Sequence, residues 1–242
     1  MKQKSFPTGN LENLRRLSVP YVKALDEHDL SRARALMELH ATRESIDVLN
    51  WKEAFPYKPV VVFDIARGKE DLYIHYFVRG LSVRALADRD GIFVHEDSCV
   101  EFFMRKADEM NYINFEFNCI GTCYACRHLS REESTSLTAG EFRSIRRYTT
   151  LQSEAFAEKR GLYAWELVVA IPFRVMGLDP ENLPEKIRGN FYKCADKTEN
   201  PHYATWSPID LPTPNYHCPE FFGEIYFPTA PVKEISTGSV VL

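Results

Sequence analysis

The spacing of apolar residues is helical in only one stretch of the chain. Over residues 29–43, Leu30, Ala33, Met37 and Ala41 recur three or four positions apart, while Arg32, Arg34 and Glu38 fall elsewhere around the wheel. Asp29 stands where an N-cap belongs, so a helix is predicted there. Before it, Ser18 to Val22 reads as a short edge strand, because Pro20 lacks a ladder donor. Beyond Pro56 and Pro59 the period falls to two. Residues 60–65 and 71–79 are predicted strands, Leu72, Ile74, Tyr76 and Val78 sharing one face. In 99–105, Val100, Phe102 and Met104 oppose Glu101, Phe103 and Arg105. In 111–119, Ile113, Phe115 and Phe117 oppose Tyr112, Asn114, Glu116 and Asn118. Further strands are expected near 121–128, 142–150, 162–171, 189–195 and 222–227. The charged stretch 152–160 reads as a turn or loop, and Asp179-Pro180 as the start of a short helix that Gly189 stops.

About nine strands with short connections and one helix predict an all-β chain folded as a two-sheet antiparallel β-sandwich. No internal repeat or change of composition divides it. The expected organisation is an N-terminal extension over residues 1–55, with one helix packing on the sandwich. The sandwich follows over 56–230 and a tail over 231–242. Residues 1–17 are polar and expected to be loosely ordered.

Composition narrows the class. The 242 residues are 45% hydrophobic and 26% charged, which excludes a disordered, collagen-like or disulfide-scaffold chain. Aromatic residues reach 13%, more than a core of this size calls for. The net charge of −4 argues against a nucleic-acid partner. No apolar run is long enough to span a membrane or to form a signal-peptide core. The chain as it stands therefore reads as cytoplasmic by default, or periplasmic or secreted if a leader was removed. The six cysteines, at 99, 119, 123, 126, 194 and 218, read as free thiols in a chain with no export signal, and Cys119-x3-Cys123-x2-Cys126 lacks a second ligand pair for zinc.

Three constellations could carry chemistry. The first, His95-Glu96-Asp97-Ser98-Cys99-Val100-Glu101, supplies carboxylates that could hold calcium or accept hydrogen bonds from sugar hydroxyls. Glu101 alternates with core residues and is expected to be sheltered. The second is the face of Tyr112, Asn114, Glu116 and Asn118, read as a recognition surface or an ordinary wet face. The third gathers Lys193, Asp196, His202, Trp206, Tyr216 and His217 around a proline-broken aromatic segment. Aromatic rings on loops suit sugar C–H faces. Trp206 is either such a platform or a plug at the open end of the sandwich.

Four of these segments, in order between about 58 and 227, resemble family 9 carbohydrate-binding modules. Asp97-Ser98-Cys99-Val100-Glu101-Phe102-Phe103 resembles the family's Asp-Ser-Val-Glu-x-Phe strand, and Asn114-Phe115-Glu116-Phe117-Asn118 its next strand. Trp165-Glu166-Leu167-Val168-Val169-Ala170-Ile171-Pro172 is similar to its Glu-x-x-Ile-Pro strand. Trp206-Ser207-Pro208 through Pro219-Glu220-Phe221-Phe222-Gly223 is similar to its closing Trp-Ser … Pro-x-x-Phe-Gly segment. The resemblance implies an immunoglobulin-like or jelly-roll-like sandwich that binds sugars without cleaving them. It also implies a ring held between two aromatic clamps, with calcium supporting the structure. By position, the family's Glu falls on Glu101, its first clamp on or near His95, its Arg on Glu116 and its second clamp on Tyr216; Lys193 and Asp196 come from the polar strand before the Trp-Ser segment. A His and a Tyr stack more weakly than two Trp, and Glu116 reverses the charge of an Arg.

The function expected is therefore non-catalytic carbohydrate binding, accessory to polysaccharide or oligosaccharide breakdown. The ligand-binding set is His95, Glu101, Glu116, Asn118, Lys193, Asp196, Trp206 and Tyr216. One alternative is a glycoside hydrolase using Glu101 with Glu116 or Asp196. Another is a haem-binding electron-transfer sandwich using Met104, Met110, His95 or Lys193.

Overall fold

The computed structural model describes residues 13–228. The predicted tail and the first twelve residues lie outside the described residues. The chain runs β1 (Arg16–Ser18), a 3₁₀ turn (Lys23–Glu27), α1 (Leu30–His40), β2 (Thr42–Ser45), β3 (Val60–Arg67), β4 (Asp71–Ala85), β5 (Cys99–Lys106), β6 (Tyr112–Asn118) and β7 (Cys123–His128). It continues through β8 (Ser134–Ser136), α2 (Ala139–Ser144), β9 (Arg146–Thr149), β10 (Phe156–Pro172), β11 (Lys186–Cys194), β12 (Tyr203–Thr205), a 3₁₀ turn (Pro219–Phe221) and β13 (Gly223–Tyr226). Two sheets result, as expected for a sandwich. One is eight-stranded, ordered β1-β13-β11-β5-β6-β7-β8 with β12 beside β11; the other is five-stranded, ordered β2-β3-β4-β10-β9. Pairing is antiparallel except at one edge, where β1 runs parallel to β13.

Strand parity builds the core. Phe63, Leu72, Ile74, Phe102, Phe115, Phe117, Leu167 and Phe191 alternate inward from both sheets and are wholly buried. Phe63 stacks on Phe191 across the gap at 4.0 Å. Trp206 belongs here, not in a ligand loop, which corrects that expectation. Because β12 pairs with β11, parity sends Tyr203 and Thr205 to one face and Ala204 and Trp206 to the other. The Trp206 ring meets Phe191 edge-on and its Nε1 donates to Glu44 at 3.2 Å. Gly223 faces it closely: a Cβ there would lie 2.5 Å from the indole.

Helix α1 starts where Asp29 accepts from the Arg32 amide at 3.0 Å. It lays Leu30, Ala33 and Met37 on Ala66, Tyr73, Val168 and Ala170, on the outer face of the five-stranded sheet. The strands flanking it pair into both sheets, β1 with β13 and β2 with β3. Val48 and Thr205 exchange backbone hydrogen bonds at 3.0 Å, and Trp51 Nε1 donates to the Leu211 carbonyl. The boundary expected at residue 55 thus falls inside continuous structure.

Other elements shift for local reasons. The strand expected at 142–150 is divided, since Thr138 and Glu141 form a capping box that starts α2 before β9 begins. Residues 156–160 extend β10 beyond the expected loop, across register shifts against β4. No helix follows Asp179. Its carboxylate accepts from the Glu181 amide in a turn, and Lys186 already opens β11. Gly189 stands inside that strand, where a Cβ would lie 2.8 Å from the Phe103 carbonyl oxygen. Among the described residues no helix is long and apolar enough to cross a membrane.

Truncating Trp206 to Ala is expected to cost about 3–5 kcal/mol of stability, read as a lowered urea midpoint. A loss below about 1 kcal/mol would place the indole outside the core.

Candidate functional site

The second face of the eight-stranded sheet is not open to water. All seven residues of β6 are buried, so the supposed wet face of Tyr112, Asn114, Glu116 and Asn118 is interior. Two long connections cover it, residues 86–98 and 206–222. Trp51, Val94, Phe103, Tyr192, Ile209, Tyr216 and Phe222 form the cluster between them and the sheet. Asp97 fastens the first connection, accepting from the Leu86 and Ala87 amides and from Asn118 Nδ2 at 2.9–3.0 Å. The second is fastened by Tyr216, whose ring stacks on Tyr192 at 4.0 Å and whose hydroxyl donates to the Lys193 carbonyl.

Between the connections lies a cleft of about 220 Å³. Glu101 and Glu116 stand directly opposite each other on β5 and β6 and form its floor. They are 2% and 5% exposed. Each has one occupied and one free oxygen. Glu101 Oε1 accepts from the Cys194 thiol at 3.0 Å and the Cys99 thiol at 3.7 Å; Glu116 Oε1 accepts from Asn114 Nδ2 at 2.8 Å. The two Oε2 atoms are buried without a partner, as is Asp196 Oδ1 in the wall. Burial, and then the neighbouring acid charges, push the pKa values of both glutamates up. Asp196 Oδ2 meets His95 Nδ1 at 3.0 Å, and this bond raises the His95 pKa. Phe93 is 63% exposed and lies against Tyr124 and the wall residue His95.

His95, Glu101, Glu116, Asp196 and Tyr216 therefore converge on one cleft. Asn118 does not, because its amide is spent on Asp97 and Ala87 while its oxygen receives the Ile120 and Thr122 amides. Nor does Lys193. Parity turns it to the inter-sheet side of β11, where its Nζ bonds the Cys194 carbonyl at 2.6 Å. His217 lines the cleft, whereas His202 is buried with Nδ1 on the Asn200 carbonyl. Tyr203 lines the cleft and was missed in sequence, as was Phe93 beside the wall residue His95. An isolated exposed Phe two residues before His95 was the only signal available for the latter. The haem alternative loses its geometry, since Met104 is core, Met110 is 45% exposed, and Lys193 faces away from His95.

The acids of residues 95–101 do not form a calcium cage. Asp97 is saturated by N–H donors and Glu96 pairs with Lys197 at 2.8 Å. Cys99, Glu101 and Cys194 bring donor atoms within 4.8 Å of one another, but the two thiols already donate to Glu101. Thiols also suit calcium poorly. Cys119 and Cys123 face the core while Cys126 faces outward beside Asn114, so that trio does not converge; all six cysteines are free and buried. A second depression, of about 240 Å³, crosses the outer face of the five-stranded sheet over Val60, Val62 and Phe77, with none of the unpartnered carboxylates.

The model of carbohydrate-binding family 9 matches residues 31–227, taking in α1 and β2 as well as the segments first noted. A Bacteroides uniformis protein proposed to bind carbohydrate is 36% identical, with 89% of this chain and 100% of that one covered and a TM-score of 0.83. A family 9 carbohydrate-binding module of Caldicellulosiruptor kristjanssonii, solved with glucose, shares the fold at 12% identity, covering 92% of this chain and 100% of that one with a TM-score of 0.57. A structure from the same organism with cellotriose matches at 12% identity and a TM-score of 0.50, covering 94% and 99%. No curated protein matches the chain.

The raised acids set the sign of one pH effect. The unfolded chain loses these protons at lower pH than the folded one, so the stability the neutral acids contribute is complete below the ordinary Glu pKa and is lost as pH rises through the folded values. Glu116→Gln should match wild type near about pH 4.5 and become progressively more stable than it as pH rises toward about 8. Urea unfolding across that range reads the difference. A gap independent of pH would contradict the raised pKa.

Proposed function

The chain belongs to carbohydrate-binding family 9, and from that premise we propose that its acidic cleft seats a single sugar ring without cleaving it. The observation that carries this reading is the set of unpartnered, buried oxygens on Glu101, Glu116 and Asp196 in one cleft. A buried carboxylate oxygen without a donor is costly, and a ligand rich in hydroxyl donors relieves the cost on binding. Phe93 offers an exposed aromatic ring beside His95, and Tyr203 and Tyr216 line the cleft. A volume of about 220 Å³ is below the ~300–1,000 Å³ of sites for larger ligands, which favours one ring, such as a chain end. The proposed role is accessory, holding a poly- or oligosaccharide for enzymes that break it down.

Hydrolysis at this site is disfavoured by the placement of the acids. Glu101 and Glu116 project from neighbouring strands of one floor and meet a ligand from the same side, whereas glycosidase carboxyls flank the scissile bond.

Calorimetry against a panel of mono- and oligosaccharides tests the proposal. Wild type is expected to bind a sugar at or below millimolar concentration. Phe93→Ala should weaken binding about three- to tenfold, the effect of losing an aromatic contact of about 0.5–1.5 kcal/mol. Glu101→Gln should weaken it at least about tenfold, having replaced the free acceptor oxygen by an amide group. No binding across the panel, or unchanged binding in the double variant, would overturn the reading.

A further inference from the structure

We propose that the cleft selects sugars carrying a free amine, its unpartnered carboxylate oxygens being built to receive an ammonium. The inference rests on the reading of the cleft as a sugar site and narrows it to a ligand class.

The floor of the cleft is acidic. Glu101 and Glu116 are more than nine-tenths buried and face each other across one strand pair, with Asp196 above them. Within the fold they receive only neutral donors: two thiols on Glu101 and one amide on Glu116. No cationic side chain among the described residues hydrogen-bonds either floor glutamate. His95 is held by Asp196 through Nδ1 and still leaves Asp196 Oδ1 without a partner. Lys193 lies on the opposite face of β11, bonded to a backbone carbonyl. Arg131 also lines the cleft, from an exposed position, and bonds neither glutamate.

The other groups facing the floor bring no charge. Tyr124 on β7, Tyr203 on β12 and Tyr216 on the covering loop have hydroxyl pKa values raised by burial, and so do the thiols of Cys99 and Cys194. His217, held down to about 4 by burial, receives the Tyr112 hydroxyl on Nδ1.

A neutral sugar filling this cleft would supply hydroxyl donors but would leave the two floor carboxylates either repelling each other or sharing a proton. An ammonium supplies three N–H donors and one positive charge, matching three unpartnered oxygens and offsetting the repulsion. The natural ligand of such a site is a 2-amino sugar whose nitrogen is not acylated, as a single residue or the end of a chain. An N-acetyl group removes the charge and two of the donors, and adds bulk to a cleft of about 220 Å³.

Calorimetry with glucosamine, N-acetylglucosamine and glucose at neutral pH tests this. Glucosamine is expected to bind at least about tenfold more tightly than either neutral sugar, an advantage of about 1.4 kcal/mol. In Glu116→Gln the ratio of glucosamine to glucose affinity should fall to within about threefold. Wild type alone carries a second readout. Added salt should weaken glucosamine binding and leave glucose binding almost unmoved, since only the charged ligand gains from the acid floor. Glucose or N-acetylglucosamine binding as tightly as glucosamine would overturn the amine preference while leaving the carbohydrate reading intact. Failure of all three, together with the wider panel, would overturn both.

Discussion

A sheet covered on both faces must satisfy its polar side chains from within the protein, and that constraint organises this molecule. The eight-stranded sheet has the five-stranded sheet against one face and two long connections against the other. On the first face the solution is apolar, with phenylalanines and Trp206 interdigitating between the sheets. On the second the strands carry Asn114, Glu116, Asn118, Glu101 and Asn190, all buried. Most of these find partners: Asn118 ties the 86–98 connection to the sheet, and Asn190 receives the Phe191 and Ser207 amides. The unpartnered oxygens of Glu101 and Glu116 face one cleft, where a ligand could complete them.

The covering connections are functional architecture as much as packing. Each is held at both ends by backbone and side-chain bonds, and each contributes wall residues to the cleft, His95 from one and Tyr216 with His217 from the other. The N-terminal segment belongs to the same design. Its strands close an edge of each sheet and Trp51 joins the cluster beneath the wall. The family match, which begins at residue 31, takes in β2 and Trp51 of this segment. Edge strands capped in this way also leave fewer open ladders.

Much of the fold was legible because strand parity is a local signal. Val100, Phe102 and Met104 against Glu101, or Ile113, Phe115 and Phe117 against Glu116, place the acids on the face away from the core without any knowledge of tertiary contacts. Parity also explains the failures. Trp206 follows β12, a short, proline-flanked segment whose pairing to β11 cannot be read from period two, and that pairing decides where its ring points; Lys193 lies within β11 on the parity of Phe191, where a lysine on an interior face runs against the usual pattern. Asn118 has the chemistry of a ligand group, but its partners, Asp97 and Ala87, come from a connection whose path the sequence does not encode locally. The convergence of His95, Glu101, Glu116, Asp196 and Tyr216 came through family resemblance plus parity, and Phe93 was missed because a lone exposed aromatic has no period to betray it.

The account depends on the free oxygens of Glu101 and Glu116 meeting a ligand. The most direct measurement is a crystal structure of the protein with a bound sugar. It should place one ring in the cleft, beneath Phe93, with a hydrogen-bond donor within about 3 Å of each glutamate Oε2. A ring seated instead on the outer face of the five-stranded sheet, over Val60 and Phe77, would contradict it.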